Sequence, residues 1–418
     1  MIPIHALLIT FPAALSSLPA SAPARAGEDE PQRRWSIFAD HIHTSTGRSI
    51  ANGMVFVNNG KISLVSPGRE DSPQSELLKV HSVTAGLIDA SARIDSKIQS
   101  VEQSSEISPA VRVADSLDPF SIEWDRQVRS GVTTVLSNPP DFAVVGGLGI
   151  VLKTAGPESI EARTVRADAV LRGAMGFQPS AGNHPAFGRP NDFFSRRPTT
   201  RMGVEWEWRN AFYEAAASRR DEERAYPGSD LMLRALDGHL TLAIQAWTTQ
   251  DIRTAVFLKE EIERELAGRP RVFLDAAAEA WKDPELIVRS KVGVVLPPFP
   301  AAGRSGEGAF MAWNVAKLLH DRGVPIALSS HGSVGYEDRL PMQAGYAIRG
   351  GLDFESALQA VTIQPAKMLG VEDRVGSIEV GKDADLVLWN GPPFEPSSRV
   401  VGVLVDGVLE VDPREGIE

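Results

Sequence analysis

The 418-residue chain contains no cysteine. Disulfide cross-links and thiolate metal sites are excluded together. The chain also lacks any excess of positive charge: 43 Lys and Arg against 54 Asp and Glu give a net charge of −11, with pI ≈ 5.4. That balance argues against nonspecific nucleic-acid binding and against adsorption on anionic lipid. Past residue 26 no apolar run is long enough to span a bilayer. The cluster Gly146-Gly147-Leu148-Gly149 is followed by no Lys-Ser/Thr pair and has no dinucleotide-binding spacing, and no Gly-x-Ser-x-Gly elbow occurs. Phosphate-loop, dinucleotide and serine-elbow chemistries are therefore absent as motifs.

What remains is an ordinary globular composition, 43% hydrophobic and 23% charged, in a length that suits a barrel plus a small accessory domain. Residues 1–26 are the exception. From Ile2 to Leu18 the only residue able to carry charge is His5, and the small-residue sites Ala20-Ser21-Ala22 and Ala24-Arg25-Ala26 follow. This is the form of a secretory leader cleaved near Ala26-Gly27, though a basic start is missing, as it would be in a disordered start. The expected location is exported, periplasmic or extracellular, with cytoplasmic as the alternative. Pro3, Pro12 and Pro19 make the segment a poor membrane helix.

From Trp35 short β-rich runs appear, with Asn58-Asn59-Gly60 placed for a tight hairpin turn. Similar runs return between Asp385 and Val411. His41-Ile42-His43 is the only His-x-His in the chain, and its place before that hairpin makes it a solvated strand pair rather than a metal pair. From Ser91 to about Leu369 short apolar strands alternate with helical segments, which predicts a mostly parallel closed sheet. The predicted strands are 133–136, 240–244, 271–274, 293–296 and 325–328. The predicted helices are 203–217, 249–266, 308–322 and 354–363. The stretch 179–198, rich in Gly, Pro, Asn, Phe and Arg, reads as a loop over the barrel mouth.

Thr84-Ala85-Gly86-Leu87-Ile88-Asp89-Ala90-Ser91-Ala92-Arg93 resembles the first barrel strand of the amidohydrolase superfamily, whose pattern is Pro-Gly-Leu-Ile-Asp-Ala-His-x-His. Gly376-Ser377-Ile378-Glu379-Val380-Gly381-Lys382-Asp383-Ala384-Asp385 is close to that superfamily's C-terminal signature. Gly146 to Lys153 and Thr362 to Lys367 are similar to its imidazolonepropionase-related branch. The resemblance implies a TIM-like (β/α)₈ barrel with a small β-sandwich formed by both termini. The expected divisions are 1–26 leader, 27–85 and 370–418 sandwich, and 86–369 barrel.

The same resemblance implies a divalent metal such as zinc, held by histidines and an aspartate at strand ends. Those positions here carry Ser91, Arg93, Gln245, Trp247, Ala276 and His331. Arginine stays protonated and has no lone pair to give, indole Nε1 only donates, and a glutamine amide is a weak ligand. Lys153 matches a lysine of the branch, either as a bridging ligand or as a structural residue. Arg93 is expected to be neutralised by Asp89, Asp95 or Asp275, or else to face the cavity and hold an anion. The reading is a homologue without its metal site and with no predicted cofactor. Its ligand would be a small molecule in the barrel mouth, its partner an active paralogue or a second copy. Two alternatives remain: an active hydrolase of amide or cyclic-amidine C–N bonds, and a metal-independent one using Ser91, Ser330 and His331.

Overall fold

In the computed structural model the described residues are 34–68, 75–92, 94, 102, 104–180, 197–299, 306–331 and 339–414. The proposed leader, Arg93, Asp95 and most of the loop 179–198 lie outside them. The described residues fall within one unit, Arg33–Glu418. No helix among them is long and apolar enough to cross a membrane.

Strands from both ends of the chain build the first sheet. β1 (Arg34–His43), β2 (Ser49–Asn58), β3 (Lys61–Pro67) and β4 (Glu76–Ala85) come before the barrel. β13 (Leu386–Trp389), β14 (Val400–Val405) and β15 (Val408–Val411) come after it. They pair in the order β15-β14-β13-β4-β1-β2-β3. Where two facing sheets were expected, hydrogen bonding joins these seven strands into one. The sheet curls, because Ile62 N donates to Lys382 O and Gly381 N to Ile62 O, and it encloses Ile37, Val55, Leu78, Val83, Leu386 and Leu404.

A single residue separates this sheet from the next. β4 passes through Gly86 into β5 (Leu87–Ala92). A Cβ on Gly86 would stand 2.1 Å from Thr133 Oγ1 and 2.9 Å from Asp385 Cβ, so only glycine fits here. β6 (Val132–Ser137), β7 (Val145–Lys153), β8 (Thr164–Ala174), β9 (Thr241–Gln245), β10 (Val272–Asp275), β11 (Gly293–Leu296) and β12 (Ile326–Leu328) follow. They pair in chain order from β5 to β12. Apolar side chains from every one of these strands, including Ile88, Leu136, Phe273 and Ala327, meet in one cluster, which makes the sheet nearly closed and barrel-like.

The sheet is mostly parallel, as the alternation predicts, with one exception: β7 runs antiparallel to both β6 and β8. The helices are also unevenly spread, with none between β6 and β7 and only the four-residue α2 (Ile160–Arg163) between β7 and β8. The preceding α1 is Ile122–Arg129. α3 (Arg201–Ser218), α4 (Ser229–Leu236), α5 (Thr249–Glu265), α6 (Pro284–Ser290), α7 (Val315–His320) and α8 (Leu340–Arg349) follow. The predicted helix 308–322 is helical as α7 only from Val315. The predicted 354–363 divides into α9 (Phe354–Ala360) and α10 (Ile363–Leu369), because Thr362 leaves helical geometry at φ −136°, ψ −92°.

The direction of β7 decides the place of Lys153. Its last residue points away from the mouth, to the rim facing the first sheet. There Lys153 Nζ lies 2.5 Å from Asp385, 3.1 Å from Asp383 and 3.1 Å from Asp406. Burial alone would lower the lysine's pKa, but the three carboxylates outweigh it and hold the ammonium above its ordinary value. Replacing Lys153 with methionine should strand buried carboxylates and cost about 3–5 kcal/mol. Urea denaturation measures it, and a loss below ~1 kcal/mol would show that the cluster does not hold barrel and sheet together.

His41 and His43 lie on β1, as their sequence position implied, but a third imidazole joins them. His81 of β4 stands 5.4 Å from His41 between ring centroids, and His43 stands 6.2 Å from His41. Burial first, then the two neighbouring imidazoles, lower the His43 pKa from 6.5 to about 4. The folded state therefore binds fewer protons than the unfolded one, so stability falls as pH drops below 6.5 and levels off near 4. The Tm of a His43→Asn variant should decline less steeply over that window than the parent's. Parallel profiles would remove His43 as the cause.

Candidate functional site

The C-terminal ends of β5, β8, β9, β10 and β12 carry buried polar groups. Asp89, fully buried on β5, is the first fixed point. Its Oδ1 accepts from Ser91 N at 3.0 Å and Ser329 Oγ at 2.6 Å. Its Oδ2 accepts from Ser330 N at 2.9 Å and Ser330 Oγ at 2.6 Å. Four donors from the first and last strand ends thus converge on one carboxylate. That satisfies a buried charge and ties β5 to the end of β12.

The second fixed point is Asp275 at the end of β10, also fully buried. Ser91 Oγ donates to its Oδ2 at 2.6 Å, and Ala276 N donates to its Oδ1 at 2.8 Å. Arg172 Nη2, from β8, lies 2.6 Å from Asp275 and 2.7 Å from Asp141. Arg172 Nε also donates to Asp141 at 2.9 Å. Burial would lower this guanidinium's pKa, but Asp141 and then Asp275 hold it above its ordinary value. The guanidinium is thus a permanent cation inside the mouth.

The residues at the positions of the resemblance fall unevenly around these two carboxylates. Ser91 bridges them, its amide on Asp89 and its hydroxyl on Asp275. Gln245 is buried at the end of β9, and its Oε1 has no hydrogen-bond partner. Trp247 packs its ring edge-on against His331 at 5.7 Å. Ala276 offers no side-chain donor and sits at φ +57°. His331, at φ +51°, places Nε2 3.6 Å from Asp275 Oδ1, beyond hydrogen-bond distance, and that nitrogen is likewise unpartnered. Left-handed backbone in two non-glycine residues, at the ends of β10 and β12 on either side of β11, is the local strain that clusters at functional sites.

Lys153 does not belong to this group, for the reason its strand direction gives. Arg93 and Asp95, and with them the expected pairing of Arg93, lie outside the described residues. Serines cover Asp89, and Asp275 carries Arg172. Arg172 and Asp141 are the residues that sequence reasoning missed. A charge inside the apolar run Val170-Leu171-Arg172-Gly173-Ala174 was the available signal, because a buried strand tolerates arginine only with partners. Among the described residues no group of three or more His, Asp or Glu side chains is placed to hold a metal ion.

The model of the amidohydrolase family matches residues 239–410. Amidohydrolase tasK of Hapsidospora irregularis is 27% identical over 339 residues, 74% of this chain but 34% of that protein. The imidazolonepropionase of Syntrophobacter fumaroxidans is 35% identical over 99 residues, 23% of each chain. That of Shewanella oneidensis is 43% identical over 77 residues, 18% of this chain and 19% of that protein. The chain therefore spans about a third or less of these relatives' lengths. Among solved structures, an amidohydrolase from Thermotoga maritima superposes with a TM-score of 0.79 and 27% identity, covering 90% of this chain and 99% of that one. An adenosine deaminase from Xanthomonas campestris, at 15% identity and TM-score 0.52, shares the fold. With the barrel strands, the C-terminal signature and these matches in agreement, the chain is similar to the amidohydrolase superfamily and, over the matched segments, to imidazolonepropionases.

Proposed function

We propose that this protein is an amidohydrolase homologue that does not carry out metal-assisted hydrolysis, and that its barrel mouth binds a small molecule or a protein partner. One observation carries the reading: the buried Arg172 guanidinium lies within 2.7 Å of Asp141 and 2.6 Å of Asp275, where it supplies positive charge among the strand ends. The donors present do not fit a divalent cation. Asp89 spends both oxygens on four hydrogen-bond donors, Asp275 is engaged by Ser91 and Arg172, and Ser91, Gln245 and Ala276 replace imidazoles.

A ligand-binding role is supported by polar atoms that the network leaves over. Gln245 Oε1, Arg172 Nη1 and His331 Nε2 are buried without hydrogen-bond partners. Such groups are costly in a folded protein, and a bound molecule could satisfy them. An active paralogue or a second copy are the protein partners consistent with an intact fold around an altered mouth. Export to the periplasm or beyond goes with the N-terminal segment.

Similarity to the family suggests hydrolysis of C–N bonds as the second reading. A serine-based route has little support, because Ser91 Oγ donates to Asp275 and Ser330 Oγ to Asp89, and neither hydroxyl donates to His331.

Protein purified from zinc-supplemented medium should hold well under one equivalent of Zn, Mn, Fe or Ni, and chelators should leave its Tm unchanged. A stoichiometric metal, or a clear drop in Tm on chelation, would reject the reading, since a bound ion stabilises by mass action. Arg172→Ala should lower stability by about 3–5 kcal/mol, because it leaves buried carboxylates unneutralised. If the guanidinium stands in for a cation, zinc should raise the variant's Tm while leaving the parent's unmoved. Equal responses of the two proteins would count against that substitution.

A further inference from the structure

A cavity lies away from the mouth, where α1 and the start of α8 meet the strands of the C-terminal segment. Its volume is about 440 Å³, within the ~300–1,000 Å³ typical of small-molecule sites. Two aromatic rings form one wall. Trp389 and Phe394 stand edge to face at 5.6 Å, and Phe394 is in turn 5.9 Å from Phe354. The Trp389 indole N–H donates to Thr84 Oγ1 at 3.1 Å, so the ring presents its apolar surface with no donor left over. Met342 and Val400 complete the apolar lining.

The loop that carries Phe394 is fixed by unusual local geometry. Phe394 sits at φ +68°, a conformation that a bulky residue rarely adopts. A Cβ on Gly345 of α8 would come 2.8 Å from the Phe394 carbonyl, so a glycine at 345 lets loop and helix meet.

The rim is cationic. Arg129, Arg339 and Arg399 line the cavity against a single carboxylate, Glu395. Arg129 shares its charge with Asp125 at 2.8 Å in an exposed pair. The backbone amide of Arg399 donates to Asn390 Oδ1, but its guanidinium has no ion pair or hydrogen bond among the described residues. Beside it, Ser398 Oγ is buried and has no hydrogen-bond partner. An unengaged guanidinium next to an unsatisfied hydroxyl can grip a carboxylate: the planar fork takes its oxygens and the hydroxyl adds a third donor.

We propose that this cavity is a binding site for a small monocarboxylate with a flat apolar body, an aryl carboxylate, held by Arg399 and Ser398 with its ring on Trp389 and Phe394. Arg129 is already shared with Asp125 and Glu395 stands on the rim, so the one unengaged guanidinium, Arg399, matches a monocarboxylate rather than a dianion such as a phosphate monoester. The site does not depend on the reading of the barrel mouth, since none of its residues belongs to that network.

The test uses the full chain with 2-naphthoate, its neutral counterpart 2-naphthalenemethanol, and 2-naphthyl phosphate, followed by calorimetry. Naphthoate should bind one to one and about tenfold or more tighter than the alcohol or the phosphate. Arg399→Ala should weaken naphthoate about tenfold while leaving the alcohol unchanged, Arg399→Lys should recover part of the loss, and Ser398→Ala should cost a smaller factor. Val400→Trp, which fills the cavity, should abolish binding with Tm preserved. Absence of binding at millimolar naphthoate, an affinity indifferent to Arg399, or full binding by a folded Val400→Trp protein would each overturn the proposal. So would loss of naphthoate binding on Gln245→Ala, which would place the ligand in the mouth.

Discussion

A carboxylate removed from water must be met by a cation or by several hydrogen-bond donors, and this requirement organises the barrel mouth. Asp89 and Asp275 are both fully buried, so leaving either unmatched would cost more than most single contacts in the molecule supply. They are matched by two different means. Asp89 takes four neutral donors from β5 and the end of β12, which makes its neutralisation also the closing stitch of the sheet. Asp275 takes a serine hydroxyl and a guanidinium from β8, linking strands on opposite sides of the mouth. The serine is the same Ser91 whose amide binds Asp89, so the two solutions are coupled. Changing the chemistry of one carboxylate disturbs the geometry of the other.

The opposite rim applies the same rule in a different arrangement. Lys153 supplies one cation to Asp383, Asp385 and Asp406, with Lys61 and Arg374 adding contacts to Asp383. The N-terminal and C-terminal faces of the sheet therefore each have a charged anchor, and the apolar cluster drawn from all eight strands lies between them. One anchor binds the barrel to the curled sheet. The other occupies the place where the superfamily's chemistry would be expected.

Much of this was legible before any coordinates. The Gly86 junction, the six strand positions from β5, β6 and β9 to β12, and the helices α3 and α5 follow from apolar runs and their punctuation by glycine and proline. The positions Ser91, Gln245, Trp247, Ala276 and His331 could be named because each lies beside a motif that resembles the superfamily's. What could not be read was direction. Nothing in Gly146 to Lys153 says that β7 runs against its neighbours, because a buried strand is a continuous apolar run whichever way it points. With that direction unknown, the sequence left Lys153 between a bridging ligand and a structural lysine, and its ion pairs with Asp383, Asp385 and Asp406 are what its place on β7 produces. Arg172 was hidden for a related reason. It interrupts an apolar strand at one residue, and the carboxylates that make it tolerable come from residues 31 and 103 positions away, a proximity only the closed sheet creates.

The substitution pattern gains a physical meaning from these contacts. If the mouth had merely lost imidazoles, Asp275 would remain as an isolated buried charge, and the protein would be destabilised at its own centre. Instead Ser91, where the resemblance implies an imidazole, donates directly to that carboxylate, and Arg172 brings the compensating charge. The replacements form a mutually satisfied set in which each polar side chain at Asp89 and Asp275 has a stated partner. Among the described residues Gln245 Oε1, Arg172 Nη1 and His331 Nε2 are buried beside it without hydrogen-bond partners. A mouth selected for stability alone would gain by closing those three as well, since an apolar residue of similar size in place of Gln245 would remove an unsatisfied acceptor at little cost. Those three atoms beside the carboxylate network support the proposal that the mouth binds a ligand.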